Sequence, residues 1–195
     1  MRTLLVGDVH GCSRSLVDLL DIARADRVIL LGDLFTKGPD PLGVWKIIEE
    51  TGAECILGNH DAKMLVVWGG EGRVAATCAQ LPTDVRDWMG ALPIFIHGDG
   101  WVAVHAGVHP FEGVTGTTPR MAILMRRWPD DEDTANPFWW QLYRGGDRVF
   151  YGHDAMRGVQ VHARTVGLDS GCCYGMQLSG WLLEEERLYA VPFRA

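Results

Sequence analysis

Short apolar runs that stop at a glycine recur along the first third of the chain. Thr3-Leu4-Leu5-Val6, Arg27-Val28-Ile29-Leu30-Leu31 and Ala53 to Leu57 are rich in branched aliphatic residues, and each predicts a short buried strand. They run into Gly7-Asp8, Gly32-Asp33 and Gly58-Asn59. Between them, Ser13 to Arg24 and Leu42 to Glu50 carry their apolar residues on a helical period. Ser13 or Ser15 is the predicted cap of the first helix. Strand, helix, strand in succession predicts parallel pairing with crossover helices. Neighbouring strand ends in such a sheet face one crevice, where α/β proteins place their chemistry.

The pattern then changes. Residues 62 to 90 predict three short helices, at 62–68, 74–80 and 83–89, and so a helical insertion. Pro93 to His97 and Trp101 to His105 flank Gly98-Asp99-Gly100, which predicts a β-hairpin and a switch to antiparallel pairing. Residues 108 to 136 are broken up by Gly, Thr and Pro, with a helix predicted over Arg120 to Trp128. Pro137 to Tyr143 reads as an aromatic helix whose rings belong to the core, with a base-stacking platform as the alternative, in which Trp139 and Trp140 would reach a bound base. Arg148 to Tyr151 predicts a strand ending at Gly152-His153. Gln160 to Val166 predicts another, and Gln177 to Leu183 with Arg187 to Val191 a closing hairpin. There is no repeat or linker. The expectation is one domain over 1–195, with the insertion at about 62–90 and an irregular segment at about 108–143 bordering the site.

Composition narrows the function classes. Hydrophobic residues make up 47% and charged residues 22% of 195, ordinary for a soluble globular protein. A net charge of −7 without a Lys/Arg cluster argues against a nucleic-acid partner. No apolar run of about 18 residues is present, so no membrane span is predicted. A cleavable leader is not expected either, because the first motif starts at residue 7. Five cysteines, an odd number without framework spacing, predict free thiols and a cytoplasmic location.

The polar residues at the predicted strand ends share one chemistry. They are Asp8 and His10, Asp33, Asn59 and His60, His105, and His153. Each alone is an ordinary turn residue; five strand ends built alike are not explained that way. All offer oxygen or imidazole and none is Cys, which excludes a thiolate zinc site and suits borderline divalent ions such as Mn, Fe or Zn. The set is large enough for two adjacent ions if one carboxylate bridges them, and Asp33 is central. Two such ions clamp the attacking and leaving oxygens of a displacement at phosphorus. Lys37 follows closely and would meet a phosphate. The acidic run Asp130 to Asp133 lacks calcium-loop spacing and reads as a solvated loop.

Taken together, GDVHG, GDLFTKGPD, GNHD, HAG and GH, with LDSGCCYG near the end, resemble the motifs of the metallophosphoesterases. More narrowly they resemble the phosphoprotein phosphatase branch, which includes serine/threonine protein phosphatases and symmetrical bis(5′-nucleosyl)-tetraphosphatases. The resemblance implies a four-layer αββα sandwich of mixed sheets with a dinuclear site. It assigns Asp8, His10 and Asp33 to the first metal, and Asp33, Asn59, His105 and His153 to the second. His60 becomes the general acid, and Asp33 is counted with it as catalytic through its bridging role. Two divalent ions are implied, with Mn first and Fe, Zn, Co or Ni as alternatives. The attack is in line, by a hydroxide held between the metals.

This chain departs from the branch at Thr36-Lys37, where the family usually carries Asp-Arg or Asn-Arg. Lysine replaces a bidentate fork by a point charge, and Arg126 or Arg127 is the candidate to supply the fork. Thr36 stands where the family residue orients the catalytic histidine. The loop Thr36 to Asp40 and the run VHAGVHP resemble the tetraphosphatases more than the protein phosphatases. The expected substrate is therefore diadenosine tetraphosphate, split to two ADP, with a phosphoprotein or other phosphorylated compound as the alternative. A phosphate sensor without turnover and a nuclease are the readings from other classes. The complete ligand set opposes the first, and the acidic charge opposes the second.

Overall fold

The computed structural model describes residues 1–195. In chain order the elements are β1 (Thr3–Val6), α1 (Ser13–Ala23), β2 (Arg27–Leu30), α2 (Pro41–Thr51), β3 (Glu54–Cys55), α3 (Asn59–Val67), α4 (Arg73–Cys78) and α5 (Val85–Gly90). They continue with β4 (Phe95–Gly98), β5 (Trp101–Val104), α6 (Pro119–Leu124), α7 (Trp139–Leu142), β6 (Arg148–Tyr151), β7 (Gln160–Val161), β8 (Thr165–Gly167), β9 (Gln177–Leu182) and β10 (Arg187–Pro192). They form two five-stranded sheets, in the orders β10-β9-β1-β2-β3 and β4-β5-β6-β8-β7. In the first, β1, β2 and β3 are parallel, while β9 joins β1 antiparallel. In the second, β5, β6 and β8 are parallel and β4 and β7 are antiparallel edges.

Side-chain alternation along the strands explains the layering. Leu5, Ile29, Ala103, Phe150, Val166 and Trp181 form the core between the sheets. Their neighbours Leu4, Val6 and Leu30 point the other way, into a core shared with Leu16, Leu19, Val44 and Ile48 of the first two helices. Val102, Val104, Val149 and Tyr151 likewise face Ala122 of α6 and Trp139 of α7. Three apolar layers separate four structural layers, so the αββα sandwich implied by the motifs is the observed fold. No helix is long and apolar enough to cross a membrane.

Several local readings need correction. Neither serine caps α1: its N-cap is Cys12, which makes no side-chain cap bond. Ser13 instead donates to Asp40 at 2.6 Å, and Asp40 caps α2 through Gly43 N–H. The helix α3 begins at Asn59, so the motif GNHD sits on its first turn. The helix near Arg120 stops at Leu124, whose carbonyl accepts from His153 Nε2 at 3.0 Å. Arg126 and Arg127 therefore lie beyond it. The stretch Gln160 to Val166 is two strands, because the His162 amide closes a tight turn on the Thr165 carbonyl at 2.8 Å. The acidic run, by contrast, is the exposed loop expected, with Asp131 accepting from the Arg126 amide and Asp130 from those of Glu132 and Asp133.

The turns that carry the motifs follow β1, β2, β3, β5 and β6. These are the carboxyl ends of the strands in both sheets, and the register Val6↔Leu30 brings the first two turns side by side.

Candidate active site

Backbone conformation is the first sign of a built site. Six non-glycine residues have positive φ, and four of them are His10, Asp33, Lys37 and His153. The left-handed region is disfavoured for residues with a Cβ. Its concentration at three of the strand-end turns shows that tertiary contacts hold these side chains in place. Two glycines provide the room. A Cβ on Gly58 would stand 2.2 Å from Asp33 Oδ1, and one on Gly152 would stand 2.0 Å from Asp8 Oδ1. The glycines in GNHD and GHD are therefore seats for carboxylates contributed by other strands.

Asp61, completely buried, is the clamp beneath them. Its carboxylate accepts from the amides of Asp33 (2.7 Å), Leu34 (2.9 Å) and Gly58 (3.0 Å). It thus ties the turn after β2 to the start of α3. In return, Asp33 Oδ1 accepts from the His60 amide at 2.8 Å. The two sheets are joined at the same place, since Asp8 Oδ1 accepts from the His153 amide at 3.0 Å.

The ring nitrogens can be assigned from their partners. His105 Nδ1 faces the Leu31 carbonyl at 2.7 Å, and His153 Nε2 faces that of Leu124 at 3.0 Å. A carbonyl only accepts, so each of these nitrogens carries the proton. His105 Nε2 and His153 Nδ1 then present lone pairs to Asn59 Oδ1, at 2.9 and 3.0 Å. Asp33 Oδ1 lies 3.5 Å from His105 Nε2. On the other side, His10 Nε2 accepts from Lys37 Nζ at 3.2 Å and its Nδ1 donates to Thr36 Oγ1 at 3.0 Å. Asp33 Oδ2 is 3.5 Å and Asp8 Oδ2 3.9 Å from His10 Nε2. Two groups of acceptors thus converge, and Asp33 turns one oxygen to each.

Electrostatics point the same way. Burial pushes the Asp8 carboxyl well above the ordinary range, with the charges of Asp169 and Asp33 adding to it. Burial likewise raises Asp33 and Asp61 to about 7. It holds His10 and His153 well below the usual imidazole value and lowers His105. Neutral imidazoles facing buried carboxylates and an amide oxygen form a donor set without enough positive charge of its own. Oxygen and nitrogen acceptors held by backbone carbonyls behind them suit divalent cations. The ligand atoms of Asp8, Asp33 and His105 lie within 4.8 Å of one another, as do those of His10, Asp33 and His60.

The remaining predicted residues divide. Lys37 and Arg126 line the cleft, a volume of about 410 Å³ that also touches Asp154 and Asp169. Arg127 does not line it. Its guanidinium lies 4.2 Å from the Phe138 ring centroid and donates to the Asn136 carbonyl, because the chain turns away after α6. Trp139 is core, donating to the Ala106 carbonyl, and Trp140 stacks on His162 at 4.4 Å. Neither tryptophan lines the cleft. Thr36 orients His10 and not His60. The His60 ring has no hydrogen bond to the protein; it meets His10 edge-on at 5.1 Å, and burial with the charge of Lys37 holds it down to about 4. Two residues went unassigned by sequence reasoning. Asp61 was visible inside GNHD, but nothing in the motif says that it faces inward. Asp169, buried beside Asp8, reads from sequence as a turn residue.

A family model described as calcineurin-like phosphoesterase matches residues 1–169. A crystal structure of a candidate diadenosine tetraphosphatase superposes with a TM-score of 0.90 at 34% identity, covering 99% of this chain and 94% of that one. A metallophosphoesterase from Sphaerobacter thermophilus shares the fold at 17% identity and a TM-score of 0.65. The symmetrical bis(5′-nucleosyl)-tetraphosphatase of Nitrosomonas europaea is 35% identical over 123 residues, which are 56% of this chain and 46% of the relative. The enzyme of the same name from Edwardsiella ictaluri is 26% identical over 270 positions, spanning all of this chain and 97% of the relative. Since this chain has 195 residues, that relative carries segments absent here.

The Asp61 clamp can be tested directly. Asp61→Ala removes the acceptor for three buried amides and should destabilise the fold by about 3 kcal/mol or more, at the usual cost of unsatisfied buried donors. A fall in Tm of about 10 °C corresponds to this for a chain of this size. Thermal unfolding followed by circular dichroism measures it, and a change under about 2 °C would contradict the role given to Asp61.

Proposed function

This chain belongs to the calcineurin-like phosphoesterase family, and on that footing we propose that it hydrolyses diadenosine tetraphosphate at the central anhydride, giving two ADP. The observation that carries the chemistry is the pair of acceptor groups sharing Asp33. Asp8, His10 and Asp33 would hold one divalent ion, and Asp33, Asn59, His105 and His153 a second. Manganese is the ion proposed, because the donors are oxygen and imidazole without thiolate. When bound, such ions lower the pKa of a bound water and neutralise phosphoryl oxygens.

The chain's own residues do the rest. Lys37 and Arg126 border the cleft and would pair with the non-bridging oxygens of the phosphates. The Arg126 guanidinium donates to the His153 carbonyl at 3.3 Å and retains further donors. His60, with a ring free of protein hydrogen bonds, is the proton donor to the leaving oxygen. The substrate assignment rests on the relatives named above and on the acidic surface, which favours a small polyphosphate over a polyanionic chain. The whole reaction is assigned to one domain over 1–195, flanked by the helices of 62–90 and by the segment 108–143, from which Arg126 reaches the cleft. Five free thiols, four of them buried, support a reducing, cytoplasmic location.

Three results are expected. Elemental analysis of the protein should find two divalent ions per chain, and Asp33→Asn should weaken both; one ion in the wild type would remove the shared carboxylate from the scheme. His60→Ala should keep the metals and lower turnover by about 10²–10⁴ for a poor leaving group, with a smaller loss for a nitrophenyl ester. Loss of a metal in that variant would make His60 a ligand instead. Chromatography of the products from diadenosine tetraphosphate should show ADP alone. AMP with ATP would mean asymmetric cleavage, and rapid turnover of phosphopeptides without any of the nucleotide would replace this substrate by a phosphoprotein.

A further inference from the structure

The cleft that contains the donor set continues into a second cavity of about 620 Å³. Lys37, His60 and Tyr174 line both, so the two form one depression. The second cavity is walled by Lys37, Lys63 and Arg73, and no carboxylate reaches it. None of the three cations belongs to an ion pair. In a chain of net charge −7, three unpaired cations around one cavity stand out against an acidic background. Three cations facing one cavity without a carboxylate favour an anion there.

Local structure explains how the cations arrive there. The helix α3 presents Asn59 and His60 to the donor set. Lys63 stands four residues after Asn59 and three after His60, so it extends the same helix face by one turn. Its charge reaches the His60 ring, as does that of Lys37. Arg73 opens α4, which packs beside α3 and turns Thr77 to the same cavity.

A second extension of the cleft is chemically different. Ala155 and Met156 lead there into a groove of about 660 Å³ with Val159, Met176 and Val191. Its one cation, Arg157, lies 4.0 Å from Asp154. The site therefore has a cationic flank on the His60 side and a mainly apolar flank on the other. A residue that protonates the leaving oxygen stands beside that oxygen, within hydrogen-bond reach. A leaving group beside His60 is therefore next to the cavity walled by Lys63 and Arg73, which His60 borders.

We propose that this cationic cavity is the subsite for the departing nucleoside diphosphate, with Lys63 and Arg73 binding its phosphates. This rests on the anhydride cleavage described above. It assigns the two residues a part in substrate selection, since an aryl phosphate or phosphopeptide places no second phosphate there.

The test compares the wild type with a Lys63→Gln/Arg73→Gln variant. Both side chains are exposed, and matching circular dichroism melts establish that the variant folds. In the manganese-loaded protein, kcat/KM for diadenosine tetraphosphate should fall at least about 10-fold more than kcat/KM for nitrophenyl phosphate, the loss expected for charge-assisted bonds. ADP affinity, measured by calorimetry, should weaken by about 10-fold as well. Equal losses on both substrates, or an unchanged ADP affinity, overturn the assignment, as does a wild type that does not bind ADP. If the wild type binds ADP through these residues yet leaves diadenosine tetraphosphate intact, the anion subsite stands and the proposed reaction fails.

Discussion

Four carboxylates, Asp8, Asp33, Asp61 and Asp169, are buried at one end of the sandwich without a lysine or arginine ion pair. Taking ionised groups out of water is costly unless they are paired, hydrogen-bonded or bound to a cation. The four are handled in different ways, and Asp169 accepts from the Gly171 amide at 3.1 Å. Asp61 is satisfied by three amides. Asp8 and Asp33 each accept one amide and otherwise face histidine lone pairs and each other's field. Their need for positive charge accounts for the neighbouring left-handed turns, the glycine seats and the carbonyls that fix each imidazole tautomer. Lys37, with its ammonium 3.2 Å from His10 Nε2, is the one lysine that enters the group.

The site is also where the two sheets are joined. Asp8 and Asp33 come from the first sheet, His105 and His153 from the second, and Asn59 from the helix that follows β3. The bonds from the His153 amide to Asp8 and from His105 to the Leu31 carbonyl cross between them. The group Asp8, His10 and Asp33 comes from the first sheet alone, whereas the group of Asp33, Asn59, His105 and His153 needs both sheets. Apolar packing through Phe150, Leu5 and Ile29 brings the sheets together, and their ends then set ligand distances.

Much of this was legible in the sequence because strand, glycine and ligand follow one another within a few residues. Short-range order of that kind survives in a linear reading. Asp8, His10, Asp33, Asn59, His60, His105 and His153 do converge, and the two-sheet layering follows from the motifs. What failed depends on long-range geometry. Arg126 and Arg127 are adjacent, yet only the first reaches the cleft, because the helix ends at Leu124 to give its carbonyl to His153. Thr36 was matched to His60 by position but bonds to His10. Lys63 and Arg73 look like ordinary solvated helix charges until α3 and α4 turn them toward one cavity. Asp169 is a site neighbour because it follows β8, whose parallel register Tyr151↔Gly167 with β6 carries it to the turn that holds His153.

The seats at Gly58 and Gly152 also bear on how the protein can vary. Each lacks a side chain because a carboxylate oxygen from a distant strand occupies the space where a Cβ would go. Alanine is the smallest addition available, and it already falls within 2.2 Å of that oxygen. Genetic variation at these two positions is therefore closed in the same way as at the ligands themselves. A catalogue of damaging variants drawn up from functional groups alone would omit two positions that bear none.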